Sequence, residues 1–321
     1  MSASAVVSAV LALVAAGLFA VSLAFQQRGN LQALRGEGRS RNQLLATVLQ
    51  PWWFGGIALS LVGFVIYAVA LNLGSLTVAQ PLQVTQLIFT VPLGAWVAGT
   101  AVERGEWRGA VLVVGGLAAF LVVLAPQAND AVGSRSSWAV AVPVVVGLAV
   151  VAFVAGRALP DLRAALWGAT AGLVLGLQGA VLKEASATVA GGLDLGDPVG
   201  LWSLPAVGVL SLAGTFIANL ALRAGRLSAA QTTLAGVPPL LGVVLGLAVF
   251  GEQVRTAPLA LVAAAAAMAV CLVGVSMLAR SPSLLALTDD GAGHEGGARG
   301  AATGSADAGG AASGYGQSSR S

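Results

Sequence analysis

Apolar runs of roughly 17–23 residues recur from Ser4 to Ala279, separated by short polar or charged stretches. They predict helices over 4–25, 52–73, 77–99, 109–125, 138–155, 164–182, 202–222, 228–250 and 257–279. Each run is long enough to cross a hydrocarbon layer of ~30 Å. Backbone groups in lipid must find partners inside their own segment, so such runs form helices. The pattern predicts an all-α polytopic membrane protein of nine transmembrane helices. The first run reads as a span rather than a cleaved leader, because Met1 to Ser8 carry no side-chain charge. From Ser281 the pattern stops. Gly, Ala and Ser dominate and cannot supply a core, so 281–321 is expected to be a disordered tail.

Composition agrees with a lipid solvent. Hydrophobic residues make up 57% of the chain and charged residues 9%, against about 25% charged in soluble domains. The 16 Lys and Arg exceed the 13 Asp and Glu. They stand singly or in small groups between spans, with no basic helix and no interleaved aromatics, so nucleic acid is not an expected partner. They read as topology signals instead. Odd-numbered loops and the tail hold 13 of the cations; even loops hold Arg135, Lys183 and Arg255. The positive-inside rule then places the N-terminus outside and the C-terminus in the cytoplasm of a plasma or inner membrane. Trp52, Trp53, Trp107, Trp138 and Trp202 fall at span starts, where an interfacial indole is favoured. Trp96 and Trp167 lie inside their helices and fit less well.

The chain also reads as a repeat. Ala16-Gly17-Leu18 and Arg28 recur as Ala171-Gly172-Leu173 and Lys183. Leu71 to Gln80 recurs as Leu222 to Gln231, with Leu, Gly, Leu, a hydroxyl residue, Ala and Gln in register. A proline-bearing helix follows in each half, then Glu103 or Glu252. The shift is five crossings. An odd shift reverses direction through the membrane, so the two four-helix halves are expected to be inverted. The expected units are residues 1–126, a linker helix within 127–163, the second repeat 164–280, and the tail.

This order resembles the drug/metabolite transporter superfamily, of which EamA-like proteins are one branch. The nine helices, Trp52-Trp53 and the run Leu76-Thr77-Val78-Ala79-Gln80-Pro81-Leu82 are also similar to the NIPA-like branch associated with magnesium. The resemblance covers residues 4–279 and implies transport by alternating access. It departs from the EamA-like pattern, which usually has ten helices. It also departs from the related small multidrug exporters, because the first helix here has no carboxylate, so proton antiport is not carried over.

Polar residues inside spans are the candidate site, since each needs a partner in lipid. Gln80, Gln83, Gln86 and Thr90 share an arc of ~120° on the third helix. Gln231 holds the equivalent place in the second half, and Gln178 and Asn219 add amides. Amides donate and accept, so they suit neutral polar solutes or a cation held by carbonyl oxygens. Pro81, Pro92, Pro238 and Pro239 are expected helix breaks, because each removes a backbone donor. Glu103 and Glu106 are expected at the cytoplasmic surface and Glu184, Asp194, Asp197 and Glu252 at the outer one, solvated and paired with Arg104, Arg108, Lys183 and Arg255. Cys271 is the one cysteine and His294 lies in the tail, so no disulfide, thiol cluster or His-based zinc site is expected. No phosphate loop, dinucleotide fingerprint or nucleophile elbow occurs. Neither catalysis, a cofactor nor a resident metal is therefore expected. The expected partners are a small-molecule or ion substrate and membrane lipid, with a homodimer left open. Beside a solute transporter, a magnesium carrier and a non-transporting scaffold or receptor subunit stay open.

Overall fold

The computed structural model describes residues 3–36, 51–98, 101–126, 133–192, 201–224 and 227–280. The predicted tail, with His294, lies outside the described residues, as do Asp194 and Asp197. The elements are α1 Ala3–Gly36, α2 Pro51–Leu73, α3 Leu76–Gln83, α4 Gln86–Ala98, α5 Arg104–Leu124 and α6 Arg135–Ala158. A 3₁₀ turn at Pro160–Leu162 leads into α7 Arg163–Ala190, then α8 Ser203–Arg223, α9 Leu227–Ala248 and α10 Pro258–Leu278.

Eight of these helices are long and apolar enough to cross a membrane. The outward faces carry the apolar side chains expected against lipid: Leu259 is 82% exposed and Leu212 77%. Such residues recur along nearly every helix, an apolar surface far more extensive than a protein surfaced by water exposes. The predicted helix over 77–99 is the exception, being divided into α3 and α4. The division does not fall on a proline. Pro81 lies inside α3 and Pro92 inside α4, while Pro238 and Pro239 lie inside an unbroken α9. The chain instead tightens at Val84 and Thr85, whose N–H groups donate to Pro81 O (3.0 Å) and Leu82 O (3.1 Å), one residue short of the α-helical partner. The Thr85 hydroxyl adds a 2.6 Å bond to Leu82 O, competing with the helical ladder from the side chain. A proline clashes with the turn before it; here the helix gives way in the turn after it.

Local chemistry sets several helix starts. Ser75 caps α3 by accepting from Val78 N–H, and Ser134 caps α6 by accepting from Ser137 N–H. Glu106 reaches back to Glu103 N–H at 2.8 Å to close the first turn of α5. Pro258 opens α10, where its missing donor costs nothing.

Small residues bring the helices close. The α5–α10 seam runs through Gly116 and Gly274: a methyl on Gly116 would meet Cys271 N at 2.5 Å, and one on Gly274 would meet Gly109 O at 2.7 Å. Gly168, Gly172 and Gly176 on α7 face Ala230, Val237 and Pro238 of α9 in the same way. The packing partners are α1 on α2 and on α3 and α4, α7 on α8 and on α9, and α5 on α10.

Contacts along these seams define two ends of the bundle. At one end the Ser8 hydroxyl of α1 donates to Ala70 O of α2 (2.7 Å), and the ends of α7 and α9 meet the start of α3. At the other end Arg28 of α1 stands over Trp52 of α2 and Trp96 of α4, at 4.7 and 4.5 Å from the ring centroids. Taken together, α3 and α4 run from the first end to the second. Trp96, which fitted poorly as an interfacial residue, thus has a cationic partner.

Candidate solute cavity and the buried ion pair beside it

A cavity of about 590 Å³ lies between α1, α2, α3, α4, α7, α8 and α9. Its polar lining is Ser22, Gln26, Ser60, Tyr67, Gln80, Gln83, Gln86, Thr90, Gln178, Ser211, Thr215 and Gln231. Phe19, Phe64, Leu175, Pro238 and Pro239 are among its apolar walls. Among the described residues, every side chain lining it is uncharged.

Six of the seven residues singled out as substrate contacts therefore line one space: Gln80, Gln83, Gln86, Thr90, Gln178 and Gln231. Asn219 does not. It is exposed on α8 and donates to Thr215 O of its own helix at 2.9 Å. At 100° per residue it is turned by ~80° from Ser211 and lies one turn beyond Thr215, which are the lining residues of that helix. Of the prolines, Pro238 and Pro239 form wall, Pro81 is buried among helices, and Pro92 is exposed. Pro238 and Pro239 deprive the carbonyls of Leu234 and Ala235 of their usual i+4 donors, and both those residues line the cavity.

The lining is biased toward acceptors, because several donors are already spent. The Ser22 hydroxyl donates to Gly56 O (2.7 Å), Gln26 Nε2 to Ser22 Oγ (2.8 Å) and Thr90 Oγ1 to Gln86 O (2.8 Å). Gln80 is the most constrained of the set. Its Nε2 donates to Gly176 O at 2.8 Å, while its Oε1 is buried with no hydrogen-bond partner among the described residues. The side chain is held between Gly179 of α7 and Gly242 of α9; a methyl at either glycine would collide with its amide. Glycine is needed at both places for close approach, whatever the backbone angles.

One turn beyond Gln80, outside the cavity, lies a buried ion pair. Lys183 Nζ of α7 donates to Glu252 Oε1 at 2.6 Å, with the two side chains 6% and 0% exposed. Glu252 follows α9 and is turned inward by Gly251, whose φ of +62° is the left-handed conformation glycine adopts readily. Its own N–H returns to Gly246 O at 2.9 Å. The carboxylate accepts from Leu76 N–H (2.6 Å), Thr77 N–H (2.9 Å), Ser75 Oγ (2.9 Å) and Thr77 Oγ1 (2.6 Å). Leu76 and Thr77 supply N–H groups that open α3 and have no partner within it. Lys183 also stands 4.7 Å from the Phe250 ring centroid, and Phe250 packs edge-on to Trp138. Burial alone would push the Glu252 carboxyl up. The Lys183 ammonium and the Thr77 donors outweigh it and hold the group below its ordinary 4.5. The next carboxylate on α7, Glu184, accepts from Gly133 N–H at 3.0 Å, before α6.

The expected pairing of Glu252 with Lys183 is present, while the expected solvation at the surface is corrected to burial. Glu252 is enclosed and binds residues 175 to 177 positions earlier. A signal was present in the sequence: the repeat pairs Lys183 with Arg28 and Glu252 with Glu103, marking both as recurrent. What was missing was the inward turn at Gly251.

The fold defines a class, a multi-pass helical membrane protein with a neutral polar cavity in its interior. Comparison with known proteins adds little to that. The chain is 25% identical over 245 residues to an uncharacterized protein of Corynebacterium glutamicum, a match covering 75% of this chain and 83% of the relative. No family model matches the chain, and no solved structure matches it.

Proposed function

We propose that this chain is a secondary transporter of the drug/metabolite type that moves a small, uncharged polar solute across a plasma or inner membrane by alternating access. The observation that carries the reading is the cavity lined by six glutamines and by hydroxyl residues, with no charged side chain among the described residues. Glutamines enclosed by apolar helices are costly unless hydrogen-bonded, and a solute with several N–H or O–H donors satisfies the surplus acceptors. A magnesium ion would usually call for one or two carboxylates in place of amides alone, so the neutral lining favours the solute over the ion. Interior placement between broken and glycine-packed helices is the usual position of a transporter site.

In this reading α3 and α4 form one interrupted ninth crossing, and α1–α5 and α7–α10 are inverted halves. The matched packing of α1 on α2 and α7 on α8 supports the pairing. The excess of arginine in odd loops supports an outside N-terminus and a cytoplasmic C-terminus.

The test is a thermal-shift screen of the purified protein against polyols, nucleosides, amino acids and Mg²⁺, followed by counterflow in proteoliposomes. A ligand at 100 times its Kd adds about 2.7 kcal/mol to native stability. The expected result is a saturable shift with an uncharged multi-donor solute, lost in Gln231→Leu, together with counterflow of that solute. A shift with Mg²⁺ alone replaces this reading with the magnesium carrier. A flat screen with folded protein and no counterflow replaces it with the scaffold or receptor subunit.

A further inference from the structure

We propose that α3 is a latched gate: the Glu252–Lys183 pair fastens its N-terminus and closes one end of the cavity, and Gln80 links a bound solute to the latch. The proposal rests on the transporter reading and adds to it the ion pair outside the cavity.

Three observations carry it. First, α3 is a short segment with its own boundary. It has eight residues, about 12 Å of helix, and is set off from α4 by the tightened turn at Val84–Thr85. A short rigid segment beside an interruption is the kind of element that absorbs a hinge motion. Second, the latch joins parts distant in the chain at a single point. One carboxylate gathers the start of α3, the end of α7 and the turn after α9 through four hydrogen bonds and an ion pair. A buried pair of this kind adds little net stability compared with apolar packing, and one of its best-attested uses is to specify one arrangement over another. Third, the two ends of the bundle differ. Arg28, the repeat counterpart of Lys183, rests on Trp52 and Trp96. Glu103, the counterpart of Glu252, gives its N–H to Glu106. The latch end is fastened, and the Arg28 end holds its cation on rings.

Gln80 is placed to couple the two events. It lines the cavity, sits one turn from Thr77, and carries the buried oxygen that lacks a donor among the described residues. The Gln80 amide is wedged against α9 at Gly242, so a solute that displaces this cavity-lining side chain moves α3 three residues from the latch. Gly242 and Gly246, one turn apart on α9, receive the Gln80 amide and the Glu252–Thr77 contact in turn.

The test reads access and not transport. Ser60 lines the cavity and makes no latch contact. Ser60→Cys in a Cys271→Ala background is labelled with a membrane-impermeant maleimide in right-side-out and inverted vesicles. With the latch intact, labelling is expected from one face only. With Glu252→Gln, labelling from the second face is expected to rise by about tenfold or more, in line with loss of charge-assisted hydrogen bonds. Ser75→Ala removes one donor and leaves the charges. It is the milder variant should Glu252→Gln fail to fold, with a smaller rise from the same face. One-face labelling unchanged in folded latch variants overturns the gate and leaves the transporter reading standing. No labelling from either face in any variant overturns both, because the cavity then never opens.

Discussion

Removing Glu252 should cost more than removing Lys183, and the difference can be worked from their contacts. At 2.6 Å the two charges attract by about 6 kcal/mol at an effective dielectric of 20, but desolvation of each ion costs several kcal/mol, so the intact pair is close to neutral in net terms. Breaking a buried pair costs about 3–5 kcal/mol, because one charge is left uncompensated. The survivors differ. In Lys183→Met the carboxylate keeps four donors from Ser75, Leu76 and Thr77, two of them backbone N–H groups opening α3. In Glu252→Gln the ammonium keeps the amide oxygen and the Phe250 ring. We expect Glu252→Gln at the upper end of that range and Lys183→Met 1–2 kcal/mol below it, in line with bonds to a charged acceptor. The double variant should cost less than the sum by at least about 2 kcal/mol, since neither unpaired charge remains. Equilibrium unfolding of the four proteins in mixed micelles measures the cycle. Additive costs, or Lys183→Met costing more than Glu252→Gln, would refute the reasoning.

Two further predictions concern the same region. Glu252 titrates below its ordinary 4.5 in the folded protein, so its contribution to stability is present above that ordinary value and lost as the pH falls through the lower folded value; a thermal series between about pH 3 and 6 should show a steeper acid loss in the native chain than in Glu252→Gln, and parallel curves would contradict it. Gly242→Ala should destabilise by about 1–3 kcal/mol through collision with the Gln80 side chain, and Gln80→Ala should relieve the part due to the amide, leaving the contact with Cβ at 2.9 Å; unfolding of both single variants and the double checks it, and an equal cost in either background would place the collision elsewhere.

What the sequence could show was whatever rests on local composition. Apolar length marked α1, α2 and α5–α10, because lipid imposes the same demand on each span separately. The polar stripe from Gln80 to Thr90 was legible for a related reason: amides on an otherwise apolar helix have few places to face, and they face the cavity. Asn219 was not legible, since whether an amide near a span end meets the interior depends on the rotation of α8 against its neighbours. Nor was the helix break, which prolines suggested and a turn at Val84–Thr85 supplied. The repeat marked Glu252, but its burial depended on tertiary structure. Its neighbours in sequence mark a surface turn, and only the approach of α3 from more than 170 residues away gives its charge a buried set of donors. Sequence fixes what a segment can tolerate next to lipid; where a polar group finds its partner is decided when distant helices close around it.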